Sequence, residues 1–137
     1  MGVTDDEFYD VARIAVIPMG FCFPGLDATG SDRPPRRECA ETWHQRLFAL
    51  IPQVELLLLV GGYAQRWHLP SRRTQHLGEL VADWRAISEP GPTRTFARVS
   101  AIPLPHPSWR NTAWLNKNPW FGCDVLPALR REVRARL

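Results

Sequence analysis

The sequence predicts an α/β fold in three layers, with a short, mostly parallel sheet flanked by helices. Two observations carry this. Residues 14–17 (IAVI) and 54–60 (VELLLLV) are short, nearly continuous apolar runs, as expected of strands buried on both faces. They alternate with segments whose apolar residues recur at helical spacing, and such alternation implies parallel strands joined by helical crossovers. The 137 residues suffice for one compact domain and are too few for two.

Along the chain, Thr4-Asp5-Asp6-Glu7 has the spacing of a capping box, so a short helix is expected over residues 5–11. The apolar run at 14–17 follows as a strand, stopped by Pro18. Residues 19–37 hold Gly20, Pro24, Gly25, Gly30, Pro34 and Pro35, which predicts a long loop. Residues 38–51 form the best helix, with Ala40, Trp43, Leu47, Phe48 and Ile51 on one face. The strand at 54–60 ends in Gly61-Gly62, a tight turn into a short helix over 63–68. A further helix is expected over 75–86, where Leu77, Leu80, Val81 and Trp84 share a face. The third strand is placed at 96–104, near an edge because of Arg98 and Pro103. The last helix carries the stripe Leu126, Leu129, Val133 and Leu137. Asp124 is its expected N-cap, and four arginines sit near its C-terminal end, where cations suit the helix dipole.

Composition narrows the class. Charged residues make up 23% and apolar residues 45%, an ordinary soluble mixture. No run approaches the eighteen or so apolar residues of a membrane span, and the acidic N-terminus is unlike a signal peptide. With three cysteines, Cys22, Cys39 and Cys123, complete internal pairing is impossible, and a reduced cytoplasmic protein without membrane association is expected. The net charge is +3, and Lys117 is the only lysine. Arginine forks suit phosphate recognition, although a GC-rich coding sequence would give the same bias. His44, His68 and His76 lie among polar residues without metal-ligand spacing and read as solvated surface histidines.

In open α/β sheets, ligands bind beyond the carboxyl ends of the strands. The richest segment at such an end is Leu104-Pro105-His106-Pro107-Ser108-Trp109-Arg110-Asn111. Two prolines stiffen the backbone around a histidine, with a hydroxyl, an arginine and an amide close behind. That set suits stabilisation of a developing anion beside a nucleic-acid backbone. A proline-rich turn carrying a surface histidine would have the same composition.

His106-Pro107-Ser108 resembles the second signature motif of the uracil-DNA glycosylase superfamily. Residues 14–25 (IAVIPMGFCFPG), 56–65 (LLLLVGGYAQ) and 116–129 (NKNPWFGCDVLPAL) resemble successive blocks of its bacterial uracil-DNA glycosylase-like family. The resemblance spans nearly the whole chain. It implies base-excision repair: uracil is flipped from DNA and its N-glycosidic bond hydrolysed. His106 then donates a hydrogen bond to uracil O2 as charge builds on the leaving base, and Ser108 holds a flanking phosphate. Pro107, Ser108, Trp109, Arg110 and Asn111 face DNA. Where many relatives carry a proline and an apolar wedge, this chain has Trp109, which could stack on a base, and Arg110, which could hold a phosphate or fill the gap. Phe21 and Phe23 either line the base pocket or pack in the core. Some relatives read uracil with an asparagine in that region, and this chain has none before Asn111.

The superfamily's first motif, a Gly-Gln-rich loop that positions the attacking water, has no match. The expectation is a chain beginning beyond that strand and loop, with little or no activity as written. The strands at 14–17 and 54–60 then lack their shared neighbour. Iron-sulphur relatives use a cysteine pair near the spacing of Cys22 and Cys39 together with a second pair that is missing here. A cluster needs four ligands, so no cofactor is expected. The expected partner is DNA containing uracil or a related damaged base, bound by a monomer. The alternative readings are a non-catalytic or degenerate DNA-binding module, and an unrelated nucleotide-binding α/β domain, for which Pro18-Met19-Gly20 is a poor phosphate loop.

Overall fold

The structure, a computed structural model, describes residues 1–137. They form two compact units, one of Met1–Ala15 and Glu55–Leu137, the other of Val16–Val54.

The first unit opens with the capping box. The Thr4 hydroxyl accepts the Glu7 N–H, the Glu7 carboxylate accepts the Thr4 N–H at 2.8 Å, and helix α1 spans Asp5–Phe8. The helix is shorter than expected because the Asp10 carbonyl gathers the N–H groups of Arg13 and Ile14 into a separate turn. The strand expected at 14–17 does not form, and Val16 is 73% exposed. An apolar run supplies the side chains for a strand but not the neighbouring strand whose ladder would satisfy its backbone.

Strand β1 (Leu56–Val60) pairs in parallel with β2 (Ser100–Leu104), in a register that sets Leu56 opposite Ser100 and Val60 opposite Leu104. This two-stranded parallel sheet among helices is the α/β arrangement the sequence predicts. The connection runs through α3 (Gly61–His68), a single turn at Pro70–Arg72, α4 (Leu77–Ala82) and α5 (Trp84–Ser88). The single helix expected over 75–86 is therefore two. Asp83 breaks it with ψ at 12°, and its carboxylate takes a hydrogen bond from Arg72 at 2.9 Å. Strand β2 starts at Ser100 rather than at 96, so Arg98 lies outside it, and all five of its residues are buried. Pro103 is accommodated because a two-stranded sheet leaves one side of each strand without a ladder.

Ile102 and Leu104 of β2 meet Val81, Trp84, Phe121, Val125, Leu129 and Val133 in the core. The last three lie on or just before α7 (Leu126–Arg134), which follows α6 (Thr112–Lys117) and a π-helical turn at Phe121–Val125. Asp124 does not cap α7, contrary to expectation. The backbone is already wound through 121–125, so no helix terminus exists there to cap, and the Asp124 carboxylate lies 3.7 Å from Arg85 instead. No helix is long and apolar enough to cross a membrane.

The second unit is the expected loop followed by α2 (Arg37–Ala49). Its buried stripe is Ala40, His44 and Phe48, while Trp43 turns outward under the Arg46 guanidinium. His44 is thus no surface histidine. It is 1% exposed, donates from Nε2 to the Pro18 carbonyl at 3.0 Å, and meets Phe21 and Phe48 edge to face. His68 of the first unit is likewise buried, with Nδ1 3.4 Å from the Thr95 hydroxyl. Of the three, His76 is exposed as expected, at the N-cap of α4.

Candidate functional site

The two strands end together, and the groups beyond them form the site. After Val60 the chain turns at Gly61, whose φ of 81° is a conformation L side chains rarely adopt. The turn leads directly into α3. Its inner face is Gly61, Gln65 and His68, one residue per turn, all buried against the strands. After Leu104, Pro105 is still buried and His106 is the first residue to emerge. A Cβ built on Gly61 would lie 3.3 Å from His106 Cβ and 3.5 Å from its Cδ2, so the imidazole stands directly over the Gly61 backbone.

The loop that carries His106 is braced from within. The His106 carbonyl accepts the Ser108 N–H at 2.8 Å and the Asn111 side-chain N–H at 2.7 Å. The Ser108 hydroxyl accepts the Arg110 N–H at 3.2 Å and so caps the single turn Trp109–Asn111. The Ser108 hydroxyl hydrogen stays available to donate. Asn111, expected to face DNA, directs its amide to the His106 carbonyl. Pro107 is exposed, and Trp109 is 80% exposed with the Arg110 guanidinium 5.7 Å from its ring centroid. On α3, exposed Tyr63 carries Arg66 at 5.2 Å in the same manner. A stiffly held imidazole beside exposed aromatic–arginine pairs can donate a hydrogen bond to a developing anion, stack on a base and pair with phosphate.

The other expected site residues belong to the second unit. Phe23 is 70% exposed and Phe21 about half exposed against His44, so neither is packed away in a core. Cys22, Cys39 and Cys123 are free thiols, and no group of three or more His, Cys, Asp or Glu side chains is placed to hold a metal ion.

Sequence reasoning missed Gln65. It is wholly buried, and its Nε2 donates to the Leu59 carbonyl at 3.2 Å and to the Leu104 carbonyl at 2.9 Å. The signal available was its place one helical turn after Gly61, in a segment that had to return against the strand ends. A family model described as the uracil DNA glycosylase superfamily matches residues 1–130 of the chain.

Proposed function

The chain belongs to the uracil DNA glycosylase superfamily, and on that premise we propose that it binds DNA as a monomer and presents His106 to a uracil flipped from the duplex. The observation that carries the reading is the seating of His106. Its side chain is exposed at the end of β2, stands over Gly61, and belongs to a loop fastened by Asn111 and Ser108. Breaking the N-glycosidic bond leaves its electron pair on the base and positive character on the sugar. A preplaced N–H donor at uracil O2 favours that charge without reorganising as it develops. Ser108 donates to a flanking phosphate, Trp109 stacks where the base has left, and Arg110 pairs with the backbone.

The hydrolytic step also needs a group that positions water, and the residues of this chain contain no match to the loop that does so in the superfamily. The expected behaviour is preferential binding of uracil-containing DNA with very slow uracil release. The test compares this chain with its His106→Ala variant, by affinity for uracil- and thymine-containing duplexes and by release of free uracil. Preference for uracil that disappears in His106→Ala supports the reading. Equal binding of both duplexes by the unsubstituted chain favours a DNA-binding module without base recognition. Release at rates typical of a full glycosylase would show that the chain activates water with groups of its own.

A further inference from the structure

We infer that Gln65 is a positioning residue for His106, a brace that ties together the last paired residues of the two strands. The last register pair of the sheet is Val60 with Leu104. Beyond it the two chains diverge, one into α3 and the other into the His106 loop. The Gln65 amide sits just before that divergence, on the last two register pairs. Its two N–H bonds run to one carbonyl from each strand, Leu59 of β1 at 3.2 Å and Leu104 of β2 at 2.9 Å. Both partners can only accept, so the orientation of the amide is determined by them. The acceptor atom Oε1 is buried without a hydrogen-bond partner. A buried unpartnered acceptor is unfavourable, so it is the two donors that make an amide useful here.

The positions of the two bonds matter for the site. Leu59 lies two residues before Gly61 and Leu104 two residues before His106, the pair so close that a Cβ added to Gly61 would lie 3.3 Å from His106 Cβ. The His106 loop is fastened at its far side by Asn111 and at its near side by Gln65 through the Leu104 carbonyl. Without the amide, the two strand ends lose a side-chain tie, and the height of the imidazole above Gly61 is no longer set. Gln65 touches no substrate. It acts through the backbone, on the discrimination of uracil rather than on the grip on DNA.

This inference rests on the uracil-recognition reading for its consequence, but not for its geometry, and the experiment separates the two. In Gln65→Met, which keeps the shape and removes the donors, the His106 imidazole signals in a histidine NMR spectrum should shift while those of exposed His76 stay in place. The preference for uracil-containing over thymine-containing duplex should fall about tenfold, with affinity for the thymine duplex within about twofold. A folded Gln65→Met protein with unchanged His106 signals and unchanged preference overturns the brace. An unsubstituted chain that shows no preference for uracil overturns the functional reading, and the His106 signals still decide the brace. Should Gln65→Met fail to fold, hydrogen exchange of the Gln65 side-chain amide in the unsubstituted chain decides. Strong protection that rises further with uracil-containing DNA, and not with thymine-containing DNA, supports the brace. Exchange at the rate of a solvent-exposed amide overturns it.

Discussion

Gly61 and His106 are in contact across the ends of two parallel strands, so closely that a methyl group on Gly61 would stand 3.3 Å from His106 Cβ. Gly61 also has φ at 81°, where an L side chain costs about 1–2 kcal/mol. Gly61→Ala should therefore act twice. It should lower Tm by roughly 3–10 °C, and it should displace the imidazole and erode the preference for uracil over thymine in duplex binding. Gly62→Ala is the control. Its Cβ would lie 2.9 Å from Arg66 Nη1, the far end of a long side chain, so calorimetry should change little and the preference for uracil over thymine should persist.

Trp109 and Arg110 should separate stacking from charge. Trp109→Ala removes an exposed ring and should weaken binding by about 1–3 kcal/mol, the range for one stacked base. Arg110→Gln should weaken uracil- and thymine-containing duplexes alike and make the slope of log affinity against log salt shallower by about 1. Titrations at several salt concentrations read both effects.

Acid should loosen the first unit through Glu7. The hydrogen bond from the Arg134 guanidinium, followed by that from the Thr4 backbone N–H, lowers its pKa from 4.5 to about 2. A depressed carboxylate pKa gives stability that is present above pH 4.5 and is lost as the pH falls towards 2. Glu7→Gln should remove that part of the pH dependence, so the stability gap between the two proteins closes on acidification. Chemical unfolding at a series of pH values measures it.

His44 should matter to the stability of the second unit. His44→Ala leaves the Pro18 carbonyl without its donor and opens space between Phe21 and Phe48, at a cost of about 2–4 kcal/mol. Amide exchange in α2 should accelerate, with α7 unaffected.

Much of the framework was legible in the residues themselves. The capping box at Thr4 is a local device, satisfied by atoms three residues apart, and it forms as the spacing predicts. The strand expected at 54–60 forms over its last five residues, Leu56–Val60, and the His106 loop follows a strand as the pattern predicts. What was not legible depends on partners remote in the chain. The run at 14–17 is as apolar as a strand, yet nothing in it specifies a neighbour. The break at Asp83 comes with an ion pair to Arg72, which lies outside the predicted helix. His44 reads as a polar residue among polar neighbours, and only its spacing from Ala40 and Phe48 sets it on the inner face. Gln65 was the costliest omission, because a buried amide is defined by the two carbonyls it holds, one of them thirty-nine residues away.

The first unit is interrupted in sequence, and this bears on how the protein is made. Arg134 donates to Glu7 and to the Gly2 carbonyl, and Arg13 donates to the carbonyl of Leu137, so the opening residues are anchored by the closing ones. During translation, at about 5–20 residues per second, the capped turn at Thr4 waits roughly 6–25 s for its anchor to be polymerised. Within that interval α2 and its loop are made. The first unit reaches its final state only once Arg134 has been made and can pair with Glu7.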